Sequence, residues 1–175
     1  IAGKLATDPF DLQIDTAALF LSAVESKSEQ IKLSAKLVGA QELNVQVVLN
    51  KFLMQDKNLS IAELNLQAHS KQAGASKQLE LKSNVKMALD TQIVQLPQLA
   101  IHIKLNDPKL AQAEIVLPIH GQLSANLKDK SLNSTLDAKF DETKLHTTVQ
   151  VQHFSNPAIS FKVDIDKLNL DRYIK

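Results

Sequence analysis

The amino-acid sequence predicts an all-β protein: one extended, curved antiparallel sheet of about ten strands, forming an open groove or a flattened half-barrel, with at most one or two short helices. The first observation is an alternation of apolar and polar residues with a period of two, which recurs from Phe10 almost to the C-terminus. Successive side chains of a strand point to opposite faces, so this period gives each strand one apolar and one wet face. The second observation is that the connections are short and polar, which favours hairpins joined as a meander.

Ten segments carry the alternation, and each is bounded by polar or turn-forming residues. In chain order they are residues 10–24, 29–38, 42–53, 58–69, 78–90, 98–106, 114–128, 131–140, 143–153 and 158–166. The apolar parity flips between Ile61 and Leu64, which predicts a β-bulge because one extra residue reverses the facing of all later ones. Residues 15–24 include an apolar run that is also compatible with a helical turn, although a strand is favoured. Residues 107–113 favour a short helix, with Asp107 as the cap and Pro108 at the first helical position.

Composition and charge exclude several classes of protein. The chain has 175 residues, 44% of them hydrophobic, and a net charge of +1, so neither low hydrophobicity nor self-repulsion keeps it unfolded. Twenty basic and 19 acidic residues are interspersed, which does not indicate a nucleic-acid partner. The chain contains no cysteine, which excludes disulfides and thiol chemistry. We interpret residues 1–175 as a single β-rich domain excised from a longer protein.

The sequence shows no pattern that indicates catalysis, a cofactor or a metal. The four glycines are isolated from one another, so no phosphate-binding loop is present. The five histidines are scattered singly, without the spacing that places two ligands on one face. Three aspartates, Asp164, Asp166 and Asp171, lack the glycine and the closely spaced oxygen ligands of a calcium loop. We therefore expect no enzyme, no cofactor and no metal site.

The apolar side of the sheet is the feature most informative about function, because a surface of this kind must be covered. Ten strands of seven or eight residues give a face on the order of 1,200 Å², which exceeds the roughly 300 to 600 Å² of the largest exposed patch on a typical monomer. Two arrangements would cover this face. Either two halves of the sheet pack together as a sandwich, or the sheet curls into a trough that receives an apolar ligand. The face combines Leu, Ile and Val with small residues, and this limited bulk favours the trough.

The C-terminal quarter resembles a known family. The string LDAKFDETKLHTTVQVQHFSNPAISFKVDIDKLNLDRYIK, residues 136–175, is similar to the AsmA-like family of Gram-negative envelope proteins. The piece DIDKLNLDRYI is the most specific part. The preceding stretches agree in their alternating style only.

This resemblance implies a periplasmic domain, attached to the inner membrane through an N-terminal anchor that this sequence lacks. It implies that the domain shields lipid acyl chains on a hydrophobic groove and contributes to phospholipid transport and outer-membrane assembly. The expected partners are phospholipid or another acyl-chain ligand, and envelope assembly proteins. The alternative is a non-enzymatic interaction module that scaffolds outer-membrane protein assembly.

Two groups of residues follow from this interpretation. The candidate lipid-facing residues are Leu117, Ile119, Leu123, Leu127, Leu136, Phe140, Val149, Val151, Phe161, Val163 and Ile165. The family string implies structural roles, either packing or holding strand ends, for Asp166, Leu168, Leu170, Asp171 and Tyr173.

Overall fold

A computed structural model describes residues 2–5, 8–39, 41–109, 113–140 and 142–167 of the chain. These ranges form a single antiparallel sheet of twelve strands. The strands are β1 (Ala2–Leu5), β2 (Asp8–Ala17), β3 (Phe20–Leu21), β4 (Glu25–Leu37), β5 (Glu42–Gln55), β6 (Asn58–Gln72), β7 (Ala75–Ala88), β8 (Ile93–Asn106), β9 (Glu114–Asn126), β10 (Ser131–Phe140), β11 (Thr143–Gln152) and β12 (Ala158–Ile165).

The strands lie in the sheet in the order in which they occur in the chain. Eleven of them follow one path from β1 to β12, and the two-residue strand β3 pairs only with β4. The predicted all-β meander is therefore confirmed. The predicted segment 10–24 is divided at Ala18, whose φ of 49° interrupts the strand before β3 begins.

The short helix predicted for residues 107–113 is wrong within the described residues. Residues 107–109 form a turn instead, in which Asp107 Oδ1 accepts a hydrogen bond from the Lys109 N–H at 2.9 Å. The N–H of Asp107 donates to the carbonyl oxygen of Ala113 at 3.0 Å, which continues the β8–β9 ladder into the loop. Asp107 therefore stabilises a hairpin connection, where an Asx-type turn competes with helix formation.

Cross-strand register places most apolar residues of the strands on one side of the sheet. Residues paired in an antiparallel ladder share a face, so the pairs can be followed from strand to strand. One such row runs through Ile103 and Leu117, and another through Ile101 and Ile119. We call this side the apolar face; its large members on the central strands include Leu33, Val47, Leu66, Leu81, Ile101, Ile119, Leu136 and Val149.

Bulges keep this face apolar where the parity of the sequence changes. The β6–β7 register shifts between Ile61 and Leu64, so the predicted bulge is confirmed and both side chains lie on the apolar face. A second shift lies in β8 between Leu96 and Leu99. In β5, the φ of Lys51 is 53°, and this residue separates Leu49 from Phe52, which also share the apolar face.

The sheet is a single layer throughout the described part of the chain. Every contact between strands joins immediate neighbours in the sheet, so the two halves are not packed against each other as a sandwich. The accessible surface is 11858 Å², compared with roughly 8,500 Å² for a compact monomer of 19.3 kDa. The apolar face therefore has no second layer of described residues over it.

Candidate functional site: the apolar face

The apolar face is larger than the sequence estimate. Eleven strands at a spacing of about 4.8 Å span about 50 Å, and a strand of 14 residues such as β5 extends about 45 Å. The face therefore covers on the order of 2,000 Å². The sequence estimate assumed strands of seven or eight residues, whereas the central strands have 13 to 15.

Burial is concentrated on this face. Eight described residues are buried, and all of them lie on the apolar face; they are Ser26, Ser28, Ile61, Ser83, Leu99, Ala125, Ser134 and Thr143. Ser28 is 3% and Ser83 is 5% exposed, although no described second layer covers them. The cover of these small residues therefore comes from neighbouring parts of the same sheet.

Hydrogen bonds to the backbone satisfy two of these buried hydroxyls. Ser28 Oγ donates to the carbonyl oxygen of Ala17 at 2.7 Å and lies 3.0 Å from that of Gln30. Ser83 Oγ donates to the carbonyl oxygen of Asn84 at 2.8 Å. Since a paired hydroxyl is far less costly to bury than an unpaired one, these serines offer the face a small side chain without a free polar group.

The two margins of the apolar face are open to solvent. On β12, Phe161 is 73% and Ile159 is 61% exposed. On the opposite margin, Ile14 is 56% and Leu21 is 68% exposed. The central residues are half-buried by their neighbours on the same face. The apolar face thus offers an apolar molecule half-buried residues at its centre and exposed apolar residues at both margins.

One hollow on the apolar face is lined mainly by apolar residues, with Asp11 and Lys36 as the exceptions. It lies where β2, β4 and β5 meet and has a volume of about 310 Å³. Its apolar lining consists of Phe10, Leu12, Ala35, Leu37, Leu43 and Val45. Such a lining is typical of a site for an apolar ligand.

The opposite face is mainly polar and carries most of the charged side chains of the strands. Four ion pairs lie on it or at its loops: Lys27–Glu25, Lys104–Glu114, Lys162–Asp164 and Lys167–Glu142, with N–O distances from 2.6 to 3.1 Å. These exposed pairs contribute little to stability. Side-chain amides join Gln30, Asn50 and Glu63 across three strands at 3.1 Å for each contact. Hydrogen bonds from Asn65 and then Asn50 lower the pKa of Glu63 below its usual value.

The polar face also has hollows, but their lining differs. A hollow of about 740 Å³ lies near His120 and His146, and another of about 540 Å³ lies near His69. His146 Nδ1 lies 2.7 Å from Asp137 Oδ1. The hollow near His69 is lined mainly by charged and amide side chains, whereas the hollow near His120 combines Asp, Lys and His side chains with apolar residues such as Pro118 and Leu145. The charged groups in both hollows would desolvate unfavourably against a hydrocarbon chain. A twisted sheet is saddle-shaped, so shallow hollows occur on both sides.

The structure brings most of the predicted lipid-facing residues onto the apolar face. Those of β9, β10 and β11 are half-buried, and those of β12 are exposed; the set is Leu117, Ile119, Leu123, Leu136, Phe140, Val149, Val151, Phe161, Val163 and Ile165. Leu127 differs, because β9 ends at Asn126 and Leu127 begins the following turn. Its N–H donates to the carbonyl oxygen of Gln92 at 3.0 Å, and the residue is 44% exposed.

The family string is only partly described. Asp166 follows β12 directly, and its Oδ1 accepts hydrogen bonds from the N–H groups of Lys144 at 2.8 Å and Lys167 at 2.7 Å. The bond from Lys144 is the main reason that the pKa of Asp166 lies below its usual value of 3.8. Leu168, Leu170, Asp171 and Tyr173 lie outside the described residues.

The prediction of lipid-facing residues left out the larger part of the apolar face. They were drawn from residue 117 onward, whereas β2 and β4 to β8 supply at least as many apolar side chains. Among them are Phe10, Ile31, Leu33, Leu43, Val45, Val47, Leu64, Leu66, Leu79, Leu81, Ile101 and Ile103. The same period-two signal could have found them. The positive φ of Lys51 in β5 and the register shifts in β6 and β8 hid their common face, because the apolar parity changes within each of these strands.

The described residues contain no group of three or more His, Asp or Glu side chains positioned to hold a metal ion. They also contain no helix of the length and hydrophobicity needed to cross a membrane. No protein-family model matches the chain, and neither a curated protein nor a solved structure gives a significant match.

Proposed function

We propose that this chain shields lipid acyl chains on its apolar face, as a periplasmic domain of an AsmA-like protein held at the inner membrane. The observation that carries this proposal is an uncovered apolar surface on the order of 2,000 Å² on a single-layer sheet. The similarity of residues 136–175 to the AsmA-like family supports the envelope location and a contribution to phospholipid transport and outer-membrane assembly.

The mechanism is passive. Each methylene moved from water to an apolar surface contributes about 0.8 kcal/mol, so ten methylenes contribute about 8 kcal/mol before the entropy of ordering is subtracted. Head groups stay at the open rim, where water solvates them. The half-buried central part of the apolar face, which includes Leu66, Leu81 and Ile101, offers an acyl chain a continuous apolar surface. Nothing in this surface fixes the length of the acyl chain.

A matched pair of substitutions on β9 tests the proposal. Leu123 lies on the apolar face, whereas Val116 lies on the polar face of the same strand. Leu123→Asn should weaken the binding of a fluorescent fatty-acyl probe by about tenfold to a hundredfold, because burying a leucine side chain contributes about 1.5–3 kcal/mol. Val116→Asn should leave binding unchanged. Mass spectrometry of an organic extract of the purified chain would identify a bound lipid directly.

The scaffold function gives the opposite result. If a protein partner covers the apolar face, the unmodified chain has no affinity for the probe and its extract contains no lipid. Equal losses of probe binding in the Leu123→Asn and Val116→Asn variants would also contradict lipid binding at the apolar face. Circular dichroism of each variant establishes that the strands are retained.

A further inference from the structure

The outer edge of β12 is the strongest unassigned feature of the molecule. β12 is the last strand in the sheet order, so no described strand pairs with its outer side. All eight of its residues are exposed. An edge of this kind presents unpaired N–H and C=O groups that can pair with another strand.

The register with β11 shows which groups point outward. The N–H of Asp166 donates to the carbonyl oxygen of Lys144 at 3.2 Å, so the even-numbered residues of β12 bond to β11. In an antiparallel ladder the bonding direction alternates. The outward N–H and C=O groups therefore belong to Ile159, Phe161, Val163 and Ile165, whose side chains are on the apolar face.

The charges of this strand are self-complementary in one register. The polar face of β12 carries Lys162 and Asp164, which pair with each other at 2.9 Å. When two copies of β12 pair antiparallel around Val163, Lys162 of each copy lies opposite Asp164 of the other. Centring the pair on Lys162 or on Asp164 instead places like charges opposite each other, which destabilises a cross-strand pair. Centring it on Phe161 leaves both charges without a charged partner.

We propose that β12 pairs with β12 of a second copy of this chain, antiparallel and centred on Val163. The outward backbone groups of Val163, Phe161 and Ile165 then form cross-strand hydrogen bonds. On the apolar face, Phe161 of one copy packs beside Ile165 of the other. The sheets of the two copies become continuous, and so do their apolar faces. This inference stands on the edge geometry and does not depend on lipid binding.

The interface is small, so the expected dimer is reversible and forms in the micromolar range. Sedimentation velocity of the full chain should show a monomer at low concentration and a dimer as concentration rises. A monomer at every concentration up to the submillimolar range would overturn the proposal.

Cysteine cross-linking tests the register without background, because the chain has no cysteine. Val163→Cys places the two sulfur-bearing residues on the two-fold axis, at a Cα distance of about 5.5 Å that a disulfide can span. Phe161→Cys is the matched control, since its two copies lie about 13 Å apart along the strands. Oxidation should yield covalent dimers of the first variant at least ten times faster. Equal rates, or faster cross-linking through position 161, would contradict this register.

A charge exchange tests the same pairing independently. Lys162→Asp and Asp164→Lys should each be monomeric, because each variant opposes like charges at both polar contacts. Mixed together, the two variants should form a heterodimer, since every aspartate then faces a lysine. No association in the mixture, or dimers of either variant alone, would contradict the proposal. If either variant lacks the strand signal in circular dichroism, the cysteine pair decides.

Discussion

Gly121 has no room for a side chain in the sheet. It lies on the apolar face of β9, opposite Leu99 of β8 and Leu136 of β10. A Cβ atom built at this position would run into the carbonyl oxygen of Thr135 and would lie 3.0 Å from Cδ2 of Leu136. The neighbouring strand therefore uses the space that any side chain at position 121 would occupy.

Gly121→Ala should lower the free energy of unfolding by about 2–3 kcal/mol, because the strand backbones must move apart. The melting temperature should fall by about 5–10 °C. Ser124→Ala, on the polar face of the same strand, is the control and should change stability by less than about 0.5 kcal/mol. A Gly121→Ala variant as stable as the unmodified chain would mean that β9 and β10 are not in close contact there.

Residue-level reasoning from the sequence identified the small side chains on the apolar parity but not their surroundings. Ser134 and Thr143 are two such residues, and the structure shows both to be buried. Which small residue becomes covered depends on how the side chains of neighbouring strands pack around it. That information is three-dimensional and is not present in the alternation itself.

At the scale of elements, two hairpin turns adopt the same backbone conformation with different residues. The β5–β6 turn has positive φ at Asp56, 49°, and at Lys57, 61°. The β6–β7 turn has positive φ at Ala73, 47°, and at Gly74, 83°. Two consecutive positive φ angles are typical of the type I′ turn, whose twist matches that of the flanking strands. Only the second hairpin places glycine at one of these positions.

Lys57→Gly should therefore stabilise the chain. A left-handed conformation costs a residue with a side chain about 1–2 kcal/mol, and glycine avoids this cost but loses about 0.5–1 kcal/mol of backbone entropy on folding. The net gain is about 0.5 kcal/mol, a rise of about 1–2 °C in melting temperature. Gly74→Ala in the second hairpin should have the opposite sign. A lower melting temperature for Lys57→Gly would show that its ammonium group, and not its backbone angle, decides the stability of this turn.

The elements that the sequence predicted well are those with uninterrupted alternation. β9, β10 and β11 end within two residues of their predicted bounds, because each keeps one parity from end to end. The prediction was weaker where a bulge or a kink intervenes. The shift between Leu96 and Leu99 was missed, and β8 begins five residues earlier than predicted, since Pro97 and the parity change resembled the end of a turn.

At the scale of the whole molecule, the sequence favoured a trough over a sandwich, and the observed single layer excludes the sandwich within the described residues. The argument rested on small residues on the apolar parity, and these residues are present there. The meander topology could also be predicted from the sequence, because short connections restrict neighbouring strands to antiparallel hairpins. The proposed ligand did not follow from the fold, because a groove wall and a protein-covered face have the same alternation.

The single layer has a consequence that solution scattering can measure. A slab of about 50 by 45 by 10 Å has a radius of gyration of about 20 Å, whereas a compact domain of 175 residues has about 16 Å. Small-angle X-ray scattering on the Lys162→Asp variant, which removes the proposed pairing through β12, should give the larger value. A value near 16 Å would mean that the sheet closes on itself in solution. The apolar face would then be an ordinary core, and Leu123→Asn should destabilise the fold instead of weakening probe binding.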